Sequence, residues 1–180
     1  PMNIFYLDHN PKICAQYHVD KHVVKMIVEY AQLLSTAHRV VDGYAVIEKN
    51  AIGHKLTRYY LDDPRDIILY KSTHINHPSA IWVRQSRENY EWLYSLFLEL
   101  LTEYTYRYGK THASSALASA LSMPPLKISN VPFTQPTPAM DAEFIAPGDS
   151  IASYRKYYKE SKTDLIKYTK RPIPEWLEGK

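Results

Sequence analysis

A single cysteine, Cys14, stands among 180 residues, which excludes an internal disulfide and fits a reducing compartment. No apolar run approaches the length of a membrane span, and no basic segment followed by an apolar one opens the chain. A soluble cytoplasmic protein with no membrane partner is therefore expected. No internal repeat is present. Phenylalanine is scarce, at four residues against sixteen tyrosines. That choice favours rings with a polar handle, suited to a Tyr-rich core rim or to wet surfaces that stack on bases. Excess charge is scarce too, at a formal +3, so charge alone demands no nucleic-acid partner. Its distribution is uneven. Between Tyr154 and Arg171, Arg155, Lys156, Lys159, Lys162, Lys167, Lys170 and Arg171 are set against only Glu160 and Asp164, a local +5 that leaves −2 elsewhere.

What is present suffices for one domain over 1–180, because 45% hydrophobic and 13% aromatic residues can build a core. The most telling stretch is Tyr17 to Arg39. On helical spacing it gathers His22, Lys25, Glu29, Gln32 and Thr36 into a stripe about 80° wide at roughly 100° per residue. Val23, Met26, Ile27, Tyr30, Leu33 and Leu34 fill the neighbouring arc, with Val24, Val28 and Ala31 beyond. A helix so apolar is largely buried, and its few polar groups need partners in the protein or in a ligand. Asp20 reads as the N-cap, which leaves His18 just outside the helix, at the surface, and His22 in the first turn.

Along the chain, Asn3 to Leu7 reads as a strand or a packed extended arm, ended by the turn signal Asp8-His9-Asn10-Pro11. The first helix is expected over 21–39, closing before Asp42-Gly43. Residues 44–75 show no sustained period. His77-Pro78 opens a short helix through Arg84, and Ser86 caps a longer one over 87–108, stopped by Gly109. Residues 112–121 are a further helical segment. Six prolines from Pro124 to Pro147 predict an extended surface loop. Asp149 caps a last helix over 150–161, and residues 172–180 read as a docked tail anchored by Trp176. The expected fold is mainly α: a compact helical bundle with a long Pro-rich loop and an extended C-terminal tail.

Several constellations could carry chemistry. His18 and His22 have the i, i+4 spacing that grips a metal, and Glu29 could add a carboxylate. A zinc-protease helix needs a Glu directly after the first His, and Val19 occupies that place. No metal and no cofactor is therefore expected, and His22 is read as a general acid or base. Lys25, desolvated on an apolar helix, would lose pKa and become an amine nucleophile, with Glu29 beside it for proton and charge work. A plain Lys25–Glu29 helical ion pair is the bland alternative. Lys21 and Arg84 could hold phosphates. The run Asn76-His77-Pro78 through Trp82 and Arg84 offers a helix N-terminus, a fork for phosphate and an indole that could stack or wedge. His38, His54 and His112 stand isolated, and His74 precedes the Asn76-His77-Pro78 turn. Arg155, Lys156 and Lys159 interleave with Tyr154, Tyr157 and Tyr158, as in single-strand and damaged-DNA binders.

The stretch Tyr17 through Lys25 with Glu29 to Leu34, the turn Asn76-His77-Pro78 with Trp82-x-Arg84, and the ending Glu103-Tyr104-x-x-Arg107-Tyr108-Gly109 occur in this order. In that combination the chain resembles the pyrimidine-dimer DNA glycosylases of the phage endonuclease V type and their bacterial and phage relatives. The resemblance covers about half the chain. It implies a compact helical fold, a cytoplasmic location (the host's for a phage protein), and duplex DNA carrying a damaged or modified base as partner. It also implies base excision with an accompanying abasic-site lyase step. In the family an N-terminal α-amine attacks the sugar of the damaged nucleotide and forms an imine, assisted by a Glu near the start of the first helix and by phosphate-clamping arginines. His22 stands where that Glu would be. Either Glu29 takes over the carboxylate role, or another modified base is the substrate. The amine is that of Pro1 if the chain starts there, and otherwise a lysine. Two other classes remain: a non-catalytic nucleic-acid-binding phage protein and a metal-dependent nucleotide or phosphoester hydrolase.

Overall fold

The computed structural model describes residues 2–178. The expectations concerning Pro1 and the last two residues of the tail fall outside that range. Within it, seven α-helices and one two-stranded sheet are present, so the protein is mainly α.

The chain starts as an extended arm, not a strand. Met2 to Leu7 are buried, because the arm is threaded among helices that need an apolar filling. Asn10 then caps a helix that the sequence reading did not foresee, α1 (Pro11–Tyr17): its side chain accepts from the N–H groups of Lys12 and Ile13, and Pro11 sits where a missing N–H costs nothing. α2 runs over Asp20–Asp42, three residues beyond the expected end. The expected cap is corrected. Val19 occupies the cap position without a side-chain bond, and the Asp20 carboxylate instead accepts from Arg107 and from Thr169.

Residues 44–75 lack a helical period because part of them is a hairpin, β1 (Tyr44–Lys49) and β2 (Lys55–Tyr60), antiparallel with Tyr44 opposite Tyr60 and Lys49 opposite Lys55. At its base Gly43 lies so close to the backbone that a Cβ there would sit 2.3 Å from the Tyr60 carbonyl oxygen, which leaves room for glycine alone. The short α3 (Arg65–Ile68) follows, then α4 (Pro78–Gln85), capped by the His77 imidazole. The Ser86 hydroxyl caps α5 (Arg87–Tyr108), and Gly109, at φ 68°, ends it in the left-handed conformation. A 3-10 turn (Ala113–Leu117) leads into α6 (Ala118–Leu121), and α7 (Ser150–Ser161) is capped by Asp149.

α2 and α5 are the central pair, with α1 against α5 and α4 against both. Val23, Met26, Ile27, Tyr30, Leu33, Leu34 and Ala37 of α2 and Tyr90, Leu93, Leu96, Phe97 and Leu100 of α5 are buried in one apolar cluster. The resembling helix end on α5 is a strut. Arg107, fully buried at its side chain, donates to Glu103, Asp20 and the carbonyls of Gln16 and His18, and Glu103 also accepts from Nε and Nη2 of Arg171. That network pins the α1–α2 junction to the end of α5. It pulls Glu103 and Asp20 below the usual carboxylate range through their hydrogen bonds, against a burial that pushes the other way.

Candidate functional site

The polar stripe of α2 does not stay together. Thr36 is buried and accepts from the Thr73 N–H, while Lys25, Glu29 and Gln32 reach a surface cleft of about 580 Å³. Met2 of the N-terminal arm, Val24 and Val28 of α2, His74 and His112 complete its lining. Lys25 Nζ lies 3.6 Å from Glu29 Oε2, too long for a strong pair, with the lysine side chain 60% exposed and the glutamate 14%. A carboxylate and an amine therefore face one hollow, flanked by an amide and two imidazoles.

A second cleft of about 590 Å³ shares His74 as its wall. It runs between β2, through Lys55, Thr57 and Arg58, and the turn Thr73 to His77, so Asn76 and His77 line it. His74 itself has φ 49°, an uncommon conformation for a side chain other than glycine, and its Nδ1 is bonded to the Thr73 hydroxyl. His77 Nδ1 accepts from the Ser79 N–H at 3.0 Å, and His112 Nδ1 accepts from the Ser114 N–H at the same distance. Burial lowers the pKa of both rings, and proximity to His74 adds to the effect at His77.

His22 does not line this cleft, which corrects the reading of it as an acid or base beside Glu29. Its ring is buried, stacked on Phe5 at 4.2 Å, with Nδ1 2.6 Å from the Tyr158 hydroxyl. Burial pushes its pKa down to about 3. His18, expected at the surface, is fully buried: Nδ1 bonds the Cys14 carbonyl, Nε2 bonds the Tyr30 hydroxyl, and burial pushes its pKa down to about 4. The i, i+4 pair is thus spent on tyrosines and backbone. Among the described residues no group of three or more His, Cys, Asp or Glu is arranged to hold a metal ion.

Trp82 is also corrected. It is buried and its indole donates to the Thr134 carbonyl, so no face is left for a base. Arg84, near the end of α4, makes no hydrogen bond among the described residues; one terminal nitrogen is buried, and burial lowers its pKa. Lys21 is exposed and lines neither cleft. Arg155, Lys156 and Lys159 line a separate cleft of about 400 Å³ with Trp176, sharing no residue with the Glu29 cleft. Arg155 is largely committed there, donating to the Leu7 carbonyl and Asp8 while lying over the rings of Trp176 and Tyr17.

The sequence alone assigns no role to His74 and His112 and leaves Met2 and Gln32 outside the site. Only Gln32 carried a signal, its place on the stripe. The others are brought in by the arm and by two loops far apart in the chain.

Among the described residues, no helix is long and apolar enough to cross a membrane. Neither the curated proteins nor the solved structures give a match to the chain. A family model described as pyrimidine dimer DNA glycosylase matches residues 2–116, which is more than half of the chain and spans every residue lining the Glu29 cleft. The chain belongs to the pyrimidine dimer DNA glycosylase family.

Proposed function

We propose that the protein is a DNA glycosylase that excises a damaged base from duplex DNA, with pyrimidine dimers as the first substrate class, and that the chemistry takes place in the Glu29 cleft. The supporting observation is that this cleft pairs a carboxylate with an amine inside the segment that the family match covers. An amine attacks C1′ of the damaged nucleotide. The bond from C1′ to the base nitrogen breaks with its electron pair leaving on the base, and the amine proton passes to the Glu29 carboxylate. Opening of the sugar at O4′ leaves an imine. Glu29 returns its proton to O4′ as the sugar opens and, again a carboxylate, takes a C2′ proton from the imine, which expels the 3′ phosphate; this is the abasic-site lyase step.

Two amines are candidates: Lys25, and the α-amine of a chain that begins beside Met2. Lys55, Arg58, Asn76 and His77 along the second cleft, with Arg84 beyond them, are placed in this reading against the phosphates that lead into the site. Lys21 and the α7 residues Arg155, Lys156 and Lys159 make at most an outlying contact.

The test is incubation with a duplex carrying a cyclobutane dimer, with and without borohydride. Strand cleavage and a covalent adduct are expected, the trapped peptide identifying the amine. Absence of cleavage and of adduct on dimer and other base lesions would sink the proposal, and cleavage that survives Glu29→Gln would remove Glu29 from it.

A further inference from the structure

His112 lies far from α2 in the chain, yet it shares the cleft with Glu29, Lys25, Gln32 and His74. Its Nδ1 accepts a hydrogen bond from the Ser114 N–H and so caps the 3-10 turn Ala113–Leu117. A backbone N–H can only donate, so Nδ1 carries no proton. The ring is therefore neutral with its hydrogen on Nε2, because protonating Nδ1 would remove the acceptor that the cap needs. Nε2 has no hydrogen-bond partner among the described residues. The Tyr104 ring meets the imidazole edge-on at 5.1 Å, which holds its plane. His77 is built the same way, through Ser79, on the neighbouring cleft.

We infer that His112 is a further catalytic residue, a neutral hydrogen-bond donor whose Nε2–H engages the carbonyl oxygen of the departing pyrimidine. This rests on the glycosylase reading above. When the bond between C1′ and N1 breaks, the electron pair left on N1 is delocalised onto the carbonyl oxygen beside it. A donor fixed at that oxygen strengthens its bond as the charge develops. A neutral imidazole is too weak an acid to give up its proton, so the proton stays on Nε2 and the base takes its own from water. Lys25, Glu29, His74 and Tyr104 are the titratable groups around the ring, and Glu29 remains available to take the amine proton.

Two substitutions separate the cap from the donor. In His112→Asn the side-chain oxygen stands near the place of Nδ1 and keeps the cap, but nothing reaches the position of Nε2. In His112→Gln the amide nitrogen stands near Nε2, and the cap is lost. The inference predicts that His112→Asn melts within a few degrees of wild type and cleaves a dimer duplex about a hundredfold more slowly in single turnover, with duplex affinity unchanged within about threefold. It predicts that His112→Gln melts lower but cleaves faster than His112→Asn. Two-bond proton–nitrogen correlation should show the His112 ring with its proton on Nε2 at neutral pH. An Asn variant at wild-type rate, a Gln variant slower than the Asn variant, or a proton on Nδ1 overturns the inference while an active wild type preserves the glycosylase reading. A wild type inactive on every lesion duplex removes that reading and the inference with it.

Discussion

The two sides of α2 use similar residues for opposite ends. On the inward side His22 meets Tyr158 and Phe5, His38 meets Tyr90 and Arg65, and the neighbouring His18 meets Tyr30, each ring buried with a short hydrogen bond. On the cleft side Lys25, Glu29 and Gln32 have, among the described residues, only the long Lys25–Glu29 side-chain contact between them. His22 and Lys25 are separated by about 60° around the helix axis, at roughly 100° per residue. That rotation is enough to send one side chain into a tyrosine and the other to solvent. A buried polar group must be satisfied at once, within the protein, whereas a group facing a cleft can wait for a ligand. Satisfaction therefore distinguishes the structural polar residues from the functional ones more sharply than burial pattern does.

Breaking the cleft side should have the largest effect. Glu29→Gln is expected to slow cleavage of a dimer duplex by about 10²–10⁴, the range for losing one positioned proton-transfer group, with little change in melting temperature. Single-turnover kinetics and thermal melting measure the two quantities. On the inward side, His22→Ala removes the ring stacked on Phe5 and leaves the Tyr158 hydroxyl without its imidazole, so a loss of about 2–4 kcal/mol in stability is expected in urea unfolding.

Acid offers a subtler way to load the same side. His18, His22 and His38 are neutral when folded, their pKa values held down by burial to about 4, 3 and 4, whereas in the unfolded chain they titrate near 6.5. The unfolded state then binds more protons, and stability is lost as pH falls from about 6.5 towards 4. Each histidine contributes about 2 kcal/mol of that loss by pH 5. Urea midpoints at pH 7 and pH 5 measure it, and a protein equally stable at both would contradict the neutral buried rings. The smallest effect is expected at the binding surfaces. Lys55→Ala should weaken lesion-duplex affinity about threefold and reduce its salt dependence, while Lys156→Ala should change it less than about twofold, as fluorescence anisotropy across a salt series would show.

Where local rules decide the structure, the sequence was legible. Ser86 with Gly109 bounded α5, Asp149 started α7, and the apolar arc from Val23 to Leu34 named the core face of α2. Asp20 and Arg107 were misread or unread because their partners lie 87 positions apart, and no local signal tells a capping carboxylate from one held by a distant guanidinium. The hairpin escaped because neither strand holds a buried residue, so no sustained apolar alternation marks it, and no two-residue turn joins the strands. That Glu29 and Lys25 share one side of α2, and so one cleft, was readable from the helix spacing. His22 was misassigned because tyrosines that take up a histidine come from α7, 136 positions away. His74 and His112 could not be assigned, since only the fold brings them beside α2.

The central claim is that chemistry belongs to the Glu29 side of α2 and that His22 serves the core. It is tested most directly by single-turnover cleavage of a dimer-containing duplex, comparing Glu29→Gln with His22→Ala at a temperature where both are folded by circular dichroism. His22→Ala is expected to cleave within about threefold of wild type while Glu29→Gln falls by a hundredfold or more. A folded His22→Ala protein that has lost cleavage, beside a Glu29→Gln protein that keeps it, would contradict the account.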